Sequence, residues 1–130
     1  MKDIYNFISG EVKYINSKCN LQKDICKEVL SDGSEIEFFI IPKNIPIMKP
    51  LQFNLKTKNI SVNEIEFKIF GINMDMGLYS FKLQKESEGN YRGSGLIPSC
   101  VIDMKWEGNL IIDKNSEKVG VKFEFETDGS

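Results

Sequence analysis

Glu64-Ile65-Glu66-Phe67-Lys68-Ile69 alternates charged and apolar side chains without a break. In an extended chain Ile65, Phe67 and Ile69 fall on one face and Glu64, Glu66 and Lys68 on the other, as in a strand with one dry and one wet face. The same period recurs downstream. Tyr79, Phe81 and Leu83 alternate, Glu88-Gly89-Asn90 makes a turn, and residues 91–97 form a short strand interrupted by glycine. Met104, Trp106, Leu110 and Ile112 then share one side of a strand, with Gly108 between them. Asp113-Lys114-Asn115-Ser116 turns the chain, and Val119, Val121, Phe123 and Phe125 alternate with polar residues and Gly120.

Upstream, residues 51–56 read as a strand. Residues 41–50 hold Pro42, Pro46 and Pro50, which exclude a central strand or a helix, so an extended crossover between sheets is expected there. Leu21, Ile25 and Val29 have helical spacing, but an Asp32-Gly33 turn between Lys27-Glu28-Val29-Leu30 and residues 35–41 argues for a loop bounded by Cys19 and Cys26, followed by a hairpin. Residues 4–15 read as a first strand, with a bulge or bend at Gly10. Eight or nine short strands, frequent turns and no long helix predict one all-β domain over residues 1–130. The expected architecture is an antiparallel β-sandwich, immunoglobulin-like in the loose sense, with a closed β-barrel as the alternative.

With 130 residues, 41% of them hydrophobic and 28% charged, the chain is long enough to bury a core. A net charge of −2 without a basic cluster argues against a nucleic-acid partner. No run approaches the ~20 apolar residues of a membrane span. Met1-Lys2-Asp3 leads into no signal-peptide core, so an export signal or anchor is expected outside these residues. There is no histidine, which removes the commonest general base, the commonest zinc ligand and every Ser-His or Cys-His pair, so an enzyme is not expected.

Three cysteines leave three pairings open. In an oxidising compartment the economical one is Cys19 with Cys26, leaving Cys100 as a thiol; in a reducing compartment all three are thiols. The spacing of Cys19 and Cys26 is not the Cys-x-x-Cys of redox folds, which argues against a thiol–disulfide enzyme. Asn59-Ile60-Ser61 matches a glycosylation sequon, a short pattern with little meaning outside a eukaryotic secretory context.

The chemistry concentrates in Phe70-Gly71-Ile72-Asn73-Met74-Asp75-Met76-Gly77 and in Pro98-Ser99-Cys100-Val101-Ile102-Asp103-Met104-Lys105-Trp106. Met74 and Met76, two apart, send both thioethers to one side of an extended segment, while Gly71 and Gly77 let the backbone bend. Asp75 marks the segment as near solvent, and Cys100, just past Pro98, is expected in an exposed loop. If strands 64–70 and 104–112 end at the same edge, three thioethers and a thiolate converge there. Soft sulfur donors without imidazole select Cu(I), or Ag(I) as its mimic. The candidate ligands are Met74, Met76, Cys100 and Met104, with Trp106 shielding the ion as an outer neighbour. Against this, methionine packs well on aromatics, free cysteine is often buried, and Trp106 suits the core of a sandwich.

These residues, with Gly89-Asn90-Tyr91-Arg92-Gly93 and Leu96-Ile97-Pro98-Ser99-Cys100, resemble a group of small exported bacterial proteins. That group carries G-x-N-M-x-M-G, then G-x-W/Y-x-G, then L-P-x-C…M-x-W. An early cysteine pair is matched by Cys19 and Cys26, and an I-P-x-x-x-P segment by residues 45–50. The group is similar to the YtkA-like and FixH-like β-sandwich modules associated with copper handling and respiratory oxidase assembly. The resemblance covers roughly residues 19–126 and is most specific at Met-x-Met-Gly and Cys-x-x-x-Met-x-Trp. It implies a periplasmic or otherwise extracytoplasmic Cu(I) carrier that serves a copper-accepting membrane or periplasmic protein, with Cys19–Cys26 as a staple. The alternative is a metal-free β-sandwich module that docks a partner protein through a sheet edge or loops.

Overall fold

Nine strands form one continuous sheet in a computed structural model that describes residues 12–114 and 117–128. They are β1 (Val12–Asn16), β2 (Cys26–Val29), β3 (Glu35–Ile41), β4 (Leu51–Lys58), β5 (Glu64–Gly71), β6 (Leu78–Ser87), β7 (Asn90–Gly95), β8 (Met104–Asp113) and β9 (Lys118–Thr127). The spatial order is β1-β9-β8-β5-β6-β7-β4-β3-β2. Every pairing is antiparallel except β1 with β9. Among the described residues there is no helix, so the all-β expectation holds.

The sheet is strongly curled. β3 stands four places from β5, which in a flat sheet would be roughly 19 Å. Yet the Phe38 ring of β3 lies 4.9 Å from Phe67 of β5 and 5.5 Å from Phe123 of β9. Phe53 of β4 meets Phe67 and Phe81 at 5.3 and 5.0 Å. The sheet therefore folds over on its own apolar face as a half-barrel. The corner is β6: residues 78–83 pair with β5, and from Gln84 the strand pairs with β7, with a register shift between Lys85 and Ser87. Alternation dictates this core. Ile65, Phe67 and Ile69 are buried, as are every second residue of β8 from Met104 to Ile112 and Val119, Val121, Phe123 and Phe125 of β9.

Curling brings the edge strands β1 and β2 to a common seam, which is stapled rather than laddered. Cys19 and Cys26 form a disulfide with a Cα–Cα distance of 5.6 Å, and the Ser17 hydroxyl donates to Glu28 at 2.9 Å. Beyond the end of β1, the Gln22 amide covers the edge of β9, donating to the Glu126 carbonyl at 2.7 Å and accepting from its N–H at 3.2 Å. Unpaired edge groups are thereby satisfied without another strand.

The hairpin expected around Asp32-Gly33 is present between β2 and β3. One expectation changes. Residues 42–50 are not a crossover between sheets: they join the neighbouring strands β3 and β4. The segment begins with a cis Ile41-Pro42 bond and turns back through an Ile45 N–H to Pro42 carbonyl bond, burying Ile45. Its apolar residues draw it inward as a plug where proline alone suggested extension. The expected first strand over 4–15 is represented by β1; residues 1–11, with Gly10, lie outside the described residues, as do Asn115 and Ser116 of the expected turn.

Candidate functional site

β5 and β8 run antiparallel with Gly71 opposite Trp106, so the end of β5 and the start of β8 share one end of the sheet. The ladder continues for one step past the strand, where the Ile72 N–H donates to the Lys105 carbonyl at 2.8 Å. Asn73 then leaves the sheet, but its side-chain amide imitates a further ladder step. Nδ2 donates to the Asp103 carbonyl at 2.9 Å, and Oδ1 accepts from the Lys105 N–H at 3.0 Å.

The chain next doubles back over Gly71. A Cβ at Gly71 would stand 2.2 Å from the Met74 carbonyl oxygen and 2.6 Å from Cε of Met104, so only glycine admits this fold. Asp75 accepts a bond from the Gly77 N–H at 2.9 Å, and Gly77 takes φ +85° to return the chain to β6. Gly71 is thus needed for close approach rather than only for bending.

This loop sets Met74 above Cys100, with Sδ and Sγ 3.6 Å apart. Met74 is 40% exposed and Cys100 only 8%. The exposed loop expected for Cys100 is corrected: Ile97 and Cys100 turn inward while Leu96, Ser99 and Val101 face solvent, so the segment past Pro98 is anchored by its own apolar side chains. Met104 is buried against Gly71, and Met76 is half-buried against the core. Trp106 is fully buried, its ring stacked 6.5 Å from Phe125 and its indole N–H donating to the Thr127 hydroxyl at 2.9 Å. The structure thus joins Met74 to Cys100 and Met104 to Gly71, and places Trp106 in the core beneath them.

The 3.6 Å separation of the sulfur pair is that of an S–H donating to a thioether. Two sulfurs each about 2.3 Å from one centre stand slightly farther apart, roughly 3.8–4.0 Å in tetrahedral or trigonal coordination. Among the described residues no three His, Cys, Asp or Glu side chains gather as a metal cluster. A shallow hollow of about 470 Å³ beside the loop is lined by Phe70, Ile72, Met74 and Leu78. Six of the eleven large apolar side chains exposed among the described residues lie on these two segments and their flanks: Ile72, Met74, Leu78, Leu96, Val101 and Ile102. A second hollow, of about 330 Å³, is lined by Phe39, Asn54 and Arg92, but Arg92 already pairs with Glu86 and donates to Asn54.

No protein-family model matches this chain, and neither a curated protein nor a solved structure matches it. Sequence reasoning gave no role to Asn73, whose amide bonds the loop to Asp103 and Lys105. The available signal was a short polar side chain between the end of a strand and the first methionine.

Proposed function

We propose that this protein is an extracytoplasmic Cu(I)-binding carrier or delivery factor, not an enzyme, and a distant relative of the YtkA-like and FixH-like modules. Its curled sheet would serve as their immunoglobulin-like sandwich does, as a rigid platform for a site at one end. The observation that carries this reading is the 3.6 Å approach of Met74 Sδ to Cys100 Sγ. Met74 and Cys100 are the primary ligands, Met76 and Met104 are the further donors of the set, and Trp106, two residues past Met104, is the outer apolar neighbour. A thiolate with thioethers and no imidazole favours Cu(I) over harder ions. The exposed thioether is the donor that a copper-accepting membrane or periplasmic protein displaces first, so cargo leaves by ligand exchange. The Cys19–Cys26 disulfide supports an oxidising compartment.

The test is a competition titration of disulfide-intact protein with Cu(I) against a chromophoric chelator, with stoichiometry from the mass of the complex. One tight equivalent is expected, lost in the double variant Met74→Leu/Met76→Leu, whose similar apolar volume preserves the fold. Binding unchanged in that variant overturns the assignment.

The six exposed apolar side chains around the site favour a second reading, a metal-free module that docks a partner protein at this end. No binding tighter than the chelator would leave that reading in place.

A further inference from the structure

We infer that Asn73 is the positioning residue of the sulfur site: its side-chain amide sets where Met74 stands over Cys100. For its effect on Cu(I), this inference rests on the copper reading above; its effect on the Cys100 thiol does not.

Past the Ile72 N–H bond the main chain of the loop has left the strand register, and Met74 sits two residues beyond that last ladder bond. Asn73 closes the gap. One face of its amide donates to Asp103 and accepts from Lys105, gripping the segment that leads from Cys100 into β8 at two points. Each grip needs a different atom. Aspartate keeps the acceptor for Lys105 but turns a carboxylate oxygen toward the Asp103 carbonyl. Glutamine places the same amide one methylene too far out, and alanine makes neither bond. The gripping residue, Asn73, and the residue it positions, Met74, are neighbours in the chain, so releasing the amide lets Met74 swing off Cys100 while the strands stay paired.

Asn73 is exposed, so its two bonds compete with water and their loss does not threaten the core. Their influence falls on local geometry. Outer partners that orient a metal ligand typically change affinity by about 10- to 100-fold. In the metal-free protein the same clamp keeps the Met74 side chain over the thiol and shields it from reagents.

The experiment compares wild type, Asn73→Ala and Asn73→Asp with the disulfide intact, so that Cys100 is the thiol available to N-ethylmaleimide. Expected for Asn73→Ala are melting within about 5 °C of wild type, alkylation of Cys100 faster by about tenfold or more, and Cu(I) affinity lower by about 10- to 100-fold. Asn73→Asp should fall between the two. In a Met74→Leu background the Asn73→Ala effect on Cu(I) affinity should shrink to less than about threefold, because a residue that acts through Met74 has nothing left to position. A general loosening of the fold would instead multiply through undiminished, and that result overturns the inference. So does wild-type alkylation in Asn73→Ala. Should wild type bind no Cu(I), the copper reading fails, and the alkylation rates of the two Asn73 variants alone decide the clamp.

Discussion

The Met74 thioether and the Cys100 thiol lie 3.6 Å apart across a 26-residue separation in the chain, the one residue partly in solvent and the other buried. In the proposed carrier this asymmetry would divide the work of transfer: the buried sulfur would hold the ion, and the exposed one would be where an incoming donor makes contact. Replacing the holder should cost more binding than replacing the outer ligand. Cys100→Ala is expected to lower Cu(I) affinity by more than about 100-fold, beyond what outer partners alone contribute. The small side chain removed should cost stability only about 1 kcal/mol. Chelator competition and thermal unfolding read the two quantities separately. An affinity within threefold of wild type would mean that Cys100 is a core residue and no ligand.

Gly71 is the point over which the loop folds, and a methyl group there has nowhere to go. Its Cβ would meet the Met74 carbonyl, a backbone atom that cannot rotate away, as well as the mobile end of Met104. Gly71→Ala should therefore destabilise by about 1–3 kcal/mol, the range for forced overpacking. It should also lift Met74 off Cys100. Gly77→Ala meets no steric neighbour but demands φ +85° of an L side chain, so its penalty is purely conformational. Urea melts of both variants, with Cys100 alkylation alongside, separate the two cases: Gly71→Ala should expose the thiol more. Equal exposure would show that Gly71 does not hold the loop.

The disulfide tethers the segment after β1 to the start of β2, the two edges that hydrogen-bonded ladders leave open. Closing an eight-residue loop restrains the unfolded chain by about 2.5 kcal/mol on the chain-entropy estimate. Reduction should lower stability by about that amount. Its structural effect should centre on the seam, where Ser17–Glu28 and Gln22–Glu126 remain as the weaker fasteners. Amide hydrogen exchange should rise in β1 and β2 while β5 and β8, central in the sheet, stay protected. Uniform loss of protection would show that the seam and the centre unfold as one unit.

Period-two alternation made β5, β8 and β9 legible because each has one face in a single apolar core. The hairpin at Asp32-Gly33 was legible from its local turn chemistry, against the competing helical spacing of Leu21, Ile25 and Val29. What alternation cannot carry is the order of strands. Nothing in the pattern of β6 says that it changes partner at Gln84, or that β1 pairs in parallel with β9. The proline segment misled because proline forbids regular structure without saying where the chain goes; burial of Ile45 decides that. In the site, the ends of β5 and β8 do share one end of the sheet, and the sulfur contact found there is that of Met74 with Cys100. The burial of Cys100 and the role of Asn73 depend on contacts 26 and 30–32 residues away in sequence, which no local spacing encodes.

Past the end of β2 opposite the disulfide, Asp32 in the β2–β3 turn pairs with Lys114 just after β8. Lys114 first, then the hydroxyl and N–H of Ser34, hold the Asp32 carboxyl well below the usual carboxylate range. The sign follows from linkage. The folded state binds this proton more weakly than the unfolded chain, whose aspartate titrates near pH ~4. The contact therefore contributes its full stability above about pH 4 and loses it as pH falls from there through the depressed folded value. Asp32→Asn removes the charge but keeps an oxygen for Ser34. Its deficit against wild type should be constant from pH 7 to about pH 5, shrink below about pH 4, and be smallest at the acid end of the titration. Thermal melts of both proteins at pH 7, 5, 4, 3 and 2 supply the comparison. A deficit independent of pH would place the stabilisation in the shape of the turn, and not in the ion pair that ties this turn to β8.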